Sequence, residues 1–287
     1  MKLIILSGQS GSGKSVALHT LEDSGYYCVD NLPLALLPAL VDTFTHDAVE
    51  RAQGLAVGID VRCGAEDLAR HADLLREIRE RHPRLDVTRV FLKTDIRTLI
   101  RRYSETRRRH PLSQDGTPLR EAIAAEEQLL LPVLADADLI LDTSGTHLHE
   151  LRHLILERVV RRRPRQMALL LQSFGFKHGI PLDTDFLFDV RFLPNPHWSH
   201  ELRALTVRDE PVRTFLEGHP EVERSYRELH GLIAPWVDRF HQEQRSYLTL
   251  SIGCTGGQHR SVYLVERLAS DLREHYPDLM VRHRELQ

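Results

Sequence analysis

The sequence predicts an α/β protein with an N-terminal P-loop NTPase domain, built on a parallel sheet, and a second, smaller α/β domain. Three observations predict it. Residues Gly8 to Ser15 read G-Q-S-G-S-G-K-S, a complete phosphate-binding loop set between the apolar run Leu3–Leu6 and a helical pattern that opens at Ser15. Through the first half, apolar runs alternate with amphipathic stretches, as in a parallel sheet covered by helices. At 287 residues the chain also exceeds the size at which one hydrophobic core usually stops growing.

The elements follow in order. Strands are expected at Leu3–Leu6, Tyr26–Val29, Leu55–Val61, Val87–Leu92 and Leu139–Leu141. Such strands need no polar face, because both sides of a covered parallel sheet are buried. Helices are expected around Ser15–Leu21, Leu34–Phe44, Ala65–Arg81, Ile96–Glu105 and Leu119–Leu134. A further helix from His147 runs into Arg161-Arg162-Arg163-Pro164-Arg165, where proline should stop it, and the boundary is placed there, giving domains 1–163 and 164–287. Beyond it, Met167–Gln172, Asp189–Leu193 and Tyr247–Gly253 read as strands, and Val222–Arg245 and Ser261–Glu274 as helices.

The loop's residue types follow from its chemistry. Gly11 and Gly13 let backbone N–H groups turn inward without Cβ obstruction, and the helix beginning near Lys14 adds its positive end. Lys14 should reach the β- and γ-phosphates, and the Ser15 hydroxyl should ligate Mg²⁺; these two are the expected catalytic residues. Gly8, Gln9, Ser10, Gly11, Ser12, Gly13, Lys14 and Ser15 together form the expected ATP site. Only four lysines (Lys2, Lys14, Lys93, Lys177) occur among 38 basic residues, so a lysine at this position by drift is improbable.

Bulk properties exclude several classes. A net charge of −3 argues against coating nucleic acid by bulk electrostatics. Three scattered cysteines (Cys28, Cys63, Cys254) make neither a disulfide framework nor a structural zinc site. No apolar run approaches a signal peptide or a membrane span, so the expectation is a reduced, cytoplasmic protein.

Other constellations carry chemistry. Asp30 ends the second apolar run, where a carboxylate can hold Mg²⁺ through water, orient a substrate hydroxyl, or simply cap a turn. Asp60-Val61-Arg62-Cys63 closes the third strand at the same expected sheet edge. Arg97, Arg101, Arg102, Arg107, Arg108 and Arg109 lie on and after one helix, before a polar loop through Pro118; they form either a solvated face or an arginine lid over phosphates. A lid of that kind would serve a small-molecule kinase, the alternative to a regulatory NTPase.

A second anion signal lies in the other half. Cys254-Thr255-Gly256-Gly257-Gln258-His259-Arg260-Ser261 has the C-x-x-x-x-x-R-S spacing of cysteine phosphatases, where loop N–H groups and the arginine bind a phosphate. Cys254 is then either a nucleophile or a small buried residue beneath a loop that binds phosphate without cleaving it. The segments Gln172–Gly179 and Asp189–Trp198, the latter presenting His197, are expected beside it.

Taken together, G-Q-S-G-S-G-K-S, Y-Y-C-V-D-N-L-P, D-V-R-C, S-F-G-F-K-H-G, D-V-R-F-L-P-N-P-H-W and G-C-T-G-G-Q-H-R-S-V give the chain a specific resemblance, over essentially its whole length, to the bacterial P-loop nucleotide-binding proteins of the RapZ/YvcJ type, the RNase adapter family. The resemblance implies binding and hydrolysis of ATP and GTP, with a guanine-nucleotide segment at Asp60, Val61, Arg62 and Cys63. It further implies a C-terminal sensor of an amino-sugar phosphate such as glucosamine 6-phosphate, at Asp189, His197, Thr255, Gly256 and Arg260. Some members bind a small RNA and direct a ribonuclease to it. This chain closes on Arg282-His283-Arg284-Glu285-Leu286-Gln287 without the longer basic tail of such adapters, which weakens the expectation of RNA and leaves that of nucleotide intact. The sequence is also compatible with a homo-oligomer.

Overall fold

The computed structural model describes residues 1–46, 52–113, 116–161, 167–203, 205–243 and 245–286. The chain separates into two compact units, Met1–Pro164 and Arg165–Gln287. Arg162–Arg165 of the expected boundary run, Gln114 and Asp115 of the loop before Pro118, and Gln244 of the expected helix Val222–Arg245 lie outside the described residues.

The first unit holds strands β1 (Lys2–Gly8), β2 (Tyr26–Val29), β3 (Gly54–Gly58), β4 (Asp86–Lys93) and β5 (Leu139–Asp142). Their order is β2-β3-β1-β4-β5 and every pairing is parallel. Helices α1 (Lys14–Asp23), α2 (Leu37–His46), α3 (Ala65–Arg81), α4 (Ile96–Thr106), α5 (Leu119–Ala135) and α6 (Leu148–Ile155) alternate with the strands or follow them. Leu3 and Ile5 of β1 and Leu55 and Val57 of β3 pack with Leu68, Leu75 and Ile78 of α3 and Leu130 and Val133 of α5. Ile4 and Leu6, which alternation turns to the other face, are equally buried. Each such side chain contributes about 1.5–3 kcal/mol by leaving water, so the central strand needs no polar alternation.

Because all five strands run the same way, the loops leaving β1, β3, β4 and β5 gather at one edge. The strand expected at Leu55–Val61 stops early, at Gly58. The Asp60 carboxylate accepts the Arg62 N–H at 3.0 Å and caps a 3₁₀ turn, Val61–Cys63, which ends the extended run.

The second unit has strands β6 (Ala168–Gly175), β7 (Phe186–Asp189), β8 (Tyr247–Cys254) and β9 (Met280–His283), ordered β7-β8-β6-β9 and again parallel. Helices α7 (Glu210–Glu217), α8 (Pro220–Gln242) and α9 (Arg260–Leu272) complete it. Its own core joins Leu169 and Leu171, Leu248, Leu250 and Ile252, Val237, and Leu264, Val265 and Leu268. The strand expected at Asp189–Leu193 is corrected: Asp189 is the last residue of β7, not the first of a strand. Its carboxylate accepts the Arg191 N–H at 3.0 Å, and Leu193 donates back to the Val190 carbonyl, so the chain turns there.

Candidate functional site

The glycines of the first loop are required by the backbone they sit on. Gly8 has φ 147, and a Cβ there would run into the Leu92 carbonyl of β4. Gly13 has φ 106, and a Cβ would stand 2.6 Å from Cδ2 of Leu151 on α6. Both are left-handed values that side-chain-bearing residues rarely adopt.

Behind the loop, each residue from Gln9 to Ser12 is held by a side chain of its own or of another element. Gln9 Oε1 accepts the Thr94 N–H at 2.8 Å, and the Thr143 hydroxyl donates to the Ser12 carbonyl at 2.8 Å. Arg102 donates to the Gly11 carbonyl at 3.0 Å and to the Thr143 carbonyl at 2.6 Å. Glu126 of α5 accepts both the amide and the hydroxyl of Ser10. A loop fixed this way has its shape set before any anion arrives, which lowers the ordering cost of binding.

Lys14 lies folded into the loop, its Nζ donating to the Gly8 carbonyl at 2.7 Å and the Gln9 carbonyl at 3.2 Å. Burial pulls its ammonium below the ordinary 10.5, against the attraction of Asp60 and Glu126. Ser15 is exposed at the first turn of α1. The loop opens onto a cleft of about 900 Å³ that also reaches Asp30, Asp60, Arg62, Arg101, Arg102, Arg108 and Arg109. That volume is ample for a nucleotide-sized ligand.

The structure thus brings Lys14, Ser15, Asp30, Asp60 and Arg62 to one cleft, while Val61 is buried and Cys63 donates to the Leu32 carbonyl. Asp60 is 2% exposed and paired with Arg62 at 2.6 Å. Burial alone would raise its carboxyl, but the Arg62 guanidinium and amide, with Lys14, hold it below the usual carboxylate range. Asp30 is exposed at the end of β2, one strand farther from β1. Of the expected arginine lid, Arg101, Arg102, Arg108 and Arg109 line the cleft, and Arg102 also holds the loop. Sequence reasoning missed Thr94, Thr143, His110 and Glu126. The two threonines follow directly on β4 and β5 and so carried a positional signal.

In the second unit, β8 delivers Cys254 and α9 begins at Arg260. The Cys254 Sγ accepts the Gly257 N–H and the Ser261 hydroxyl, both at 3.2 Å. Burial alone would raise this thiol, yet those donors and the Arg260 charge hold it below its ordinary value. Arg260 donates to the carbonyls of Arg191 at 2.7 Å and Leu193 at 2.9 Å, and to the Thr255 hydroxyl at 3.2 Å. Asp189 pairs with Arg191 at 2.7 Å, and Lys177, from the segment expected beside this loop, approaches Gly256. Asp189, Thr255, Gly256 and Arg260 are therefore neighbours. His197 sits exposed on the 3₁₀ turn Pro196–Trp198, and its charge is felt by His259.

His259 Nε2–H donates to the Leu205 carbonyl at 2.6 Å. Burial lowers its pKa below 6.5; the Leu205 bond opposes this, and His197 and Arg260 add to the lowering. The stability that the neutral ring carries is present above the unfolded value and lost as pH falls through the lower folded one. The melting temperature is expected to drop as pH falls below about 6.5, and His259→Gln should flatten that drop. An identical pH profile in the variant would remove His259 from the account.

No helix among the described residues is long and apolar enough to cross a membrane. Comparison with known proteins agrees with the two-unit organisation. The RapZ-like N-terminal domain matches residues 1–163, and the RapZ C-terminal domain matches residues 167–287. A nucleotide-binding protein of Thioalkalivibrio sulfidiphilus is 50% identical over 287 residues, covering all of both chains. One of Alkalilimnicola ehrlichii is 52% identical over 286 residues, 100% of this chain and 98% of that one. Among solved structures, a sugar kinase from a Janibacter species aligns at 17% identity and TM-score 0.35, over 54% of this chain and 92% of that one. Two domain matches that together span nearly the whole chain, with full-length relatives at half identity, place this protein in the RapZ family.

Proposed function

We propose that the first unit binds and slowly hydrolyses ATP and GTP with Mg²⁺, and that the second binds a phosphorylated metabolite, so that the protein acts as a regulatory NTPase. The observation that carries this is the Gly8–Ser15 loop, braced from behind and opening with Lys14 onto one large cleft. Of Asp60–Cys63 only Asp60 and Arg62 line that cleft, so ATP and GTP are read as competing for one site. The residues suited to Mg²⁺ are Ser15, exposed at the start of α1, and Asp60, which follows the strand beside β1 and outmatches the more distant Asp30. The ion would neutralise charge on the phosphates.

The named carriers of the second function are Asp189, Thr255, Gly256 and Arg260, with His197 nearby. An amino-sugar phosphate such as glucosamine 6-phosphate fits their chemistry, because Asp189 can attract an ammonium while the loop and Arg260 attract phosphate. RNA and a ribonuclease rest on the family resemblance alone. One observation favours a kinase instead: the cleft extends past the loop to Asp30 and Arg62, room for an acceptor. A thermal-shift and phosphate-release assay with ATP, GTP and sugar phosphates tests both. Binding to the native state must raise the melting temperature. Turnover without acceptor supports the switch, acceptor-dependent turnover supports the kinase, and no shift with any nucleotide removes both.

A further inference from the structure

Helix α4 ends at Thr106, and Arg107 adopts φ 51 to turn the chain toward Arg108, Arg109 and His110. The His110 ring packs against Tyr103, centroids 5.4 Å apart. Its Nδ1 accepts the Leu112 N–H at 3.1 Å, which assigns the ring proton to Nε2, and Nε2 donates to the Glu126 carboxylate at 3.1 Å. The same carboxylate accepts the Ser10 hydroxyl at 2.6 Å and the Ser10 amide at 2.9 Å. The side chains of both His110 and Glu126 are fully buried.

A buried polar pair of this kind is seldom more stabilising than an apolar pair of the same volume. A carboxylate behind a phosphate loop also opposes the binding of any anion there. What it does that an apolar pair could not do is bond the loop and the basic segment to one another in a single register. Tyr103 adds to the joint, since its ring also lies against Gly11.

We propose that Glu126 and His110 are positioning residues that fasten the segment Arg107–Pro111 to the phosphate loop and so present Arg108 and Arg109 to the terminal phosphate of the bound nucleotide. This rests on the nucleotide reading of the cleft. The arginines that line the cleft then act as a fixed clamp rather than as a free lid, and their contribution falls on the γ-phosphate, which ADP lacks.

The test uses the full chain and three readouts: calorimetric affinity for MgATP, the same for MgADP, and the trypsin cleavage pattern after Arg107, Arg108 and Arg109. Glu126→Gln is expected to weaken MgATP roughly tenfold and MgADP by less than about twofold, on the scale of one charge-assisted hydrogen bond. New early cuts should appear at Arg107–Arg109 alone. His110→Phe keeps the ring on Tyr103 while losing the bond to Glu126, so it should behave alike if Glu126→Gln proves too unstable to purify. Equal losses for ATP and ADP, an unchanged cleavage pattern, or faster cleavage along the whole chain would each overturn the proposal and leave a structural role. If the unsubstituted protein bound neither nucleotide, the reading of the cleft would fall, and the proposal with it.

Discussion

Lys14→Ala is expected to abolish measurable hydrolysis of ATP and GTP, a loss of about 10²–10³-fold or more, and to weaken MgATP binding without unfolding the chain. The ammonium is the one cation inside the loop itself, and its two hydrogen bonds go to the Gly8 and Gln9 carbonyls on the loop's own rim. A triphosphate would offer Nζ more strongly charged acceptors than those carbonyls. The loop does not depend on Lys14 for its shape, because Gln9, Gly11, Ser12 and Ser10 are fastened by Thr94, Arg102, Thr143 and Glu126. Removing a largely buried cation also relieves a desolvation cost, which offsets the two lost bonds. Circular dichroism and the melting curve should therefore stay close to those of the unsubstituted protein while phosphate release disappears. Hydrolysis at the full rate by Lys14→Ala, free of contaminating ATPase, would sink the assignment.

The sequence made some of this architecture readable and hid the rest for identifiable reasons. Leu3–Leu6 stands out because a strand buried on both faces is a plain apolar run, whereas Tyr26–Val29, at the sheet edge with Tyr27 exposed, and Val87–Leu92, which carries Thr88 and Arg89, stand out by their β-branched and aromatic residues. The loop stands out because left-handed backbone at Gly11 and Gly13 demands glycine. Strand β9 was missed, since Met280–His283 is half-buried throughout and mixes apolar with basic residues. Helix α7 was missed as well; it is only eight residues long and follows a run of turns. Asp189–Leu193 was misread because two of its three apolar residues, Val190 and Leu193, are buried from a turn rather than from a strand, while Phe192 is exposed. Glu126 illustrates the deeper limit. It meets Ser10 across 116 positions of sequence, and a single acidic residue within a helix gives no sign of what it faces.

Arg260→Ala is the second substitution with a large expected effect: loss of glucosamine 6-phosphate binding, costing about 2–4 kcal/mol for a desolvated guanidinium–phosphate pair. Arg260 is 4% exposed and donates to two carbonyls and a hydroxyl. Among the described residues its Nε, also buried, finds no acceptor. A cation held this way keeps unspent charge beneath the Thr255–Gly257 loop, which is what an anion site requires. The bonds to the Arg191 and Leu193 carbonyls fix the turn after β7, so the variant should melt lower as well. Cys254→Ser then decides between sensing and catalysis. Cys254 is 2% exposed and its sulfur accepts two donors, an arrangement that can shape the loop without attacking anything. The expected result is retained sugar-phosphate binding by calorimetry, no phosphate release from the ligand by either protein, and intact nucleotide hydrolysis. Phosphate release that vanishes on Cys254→Ser would make the second unit a phosphatase with Cys254 as nucleophile; the two donors at Sγ would then be holding a thiolate for attack, and Arg260 would be holding the substrate in front of it.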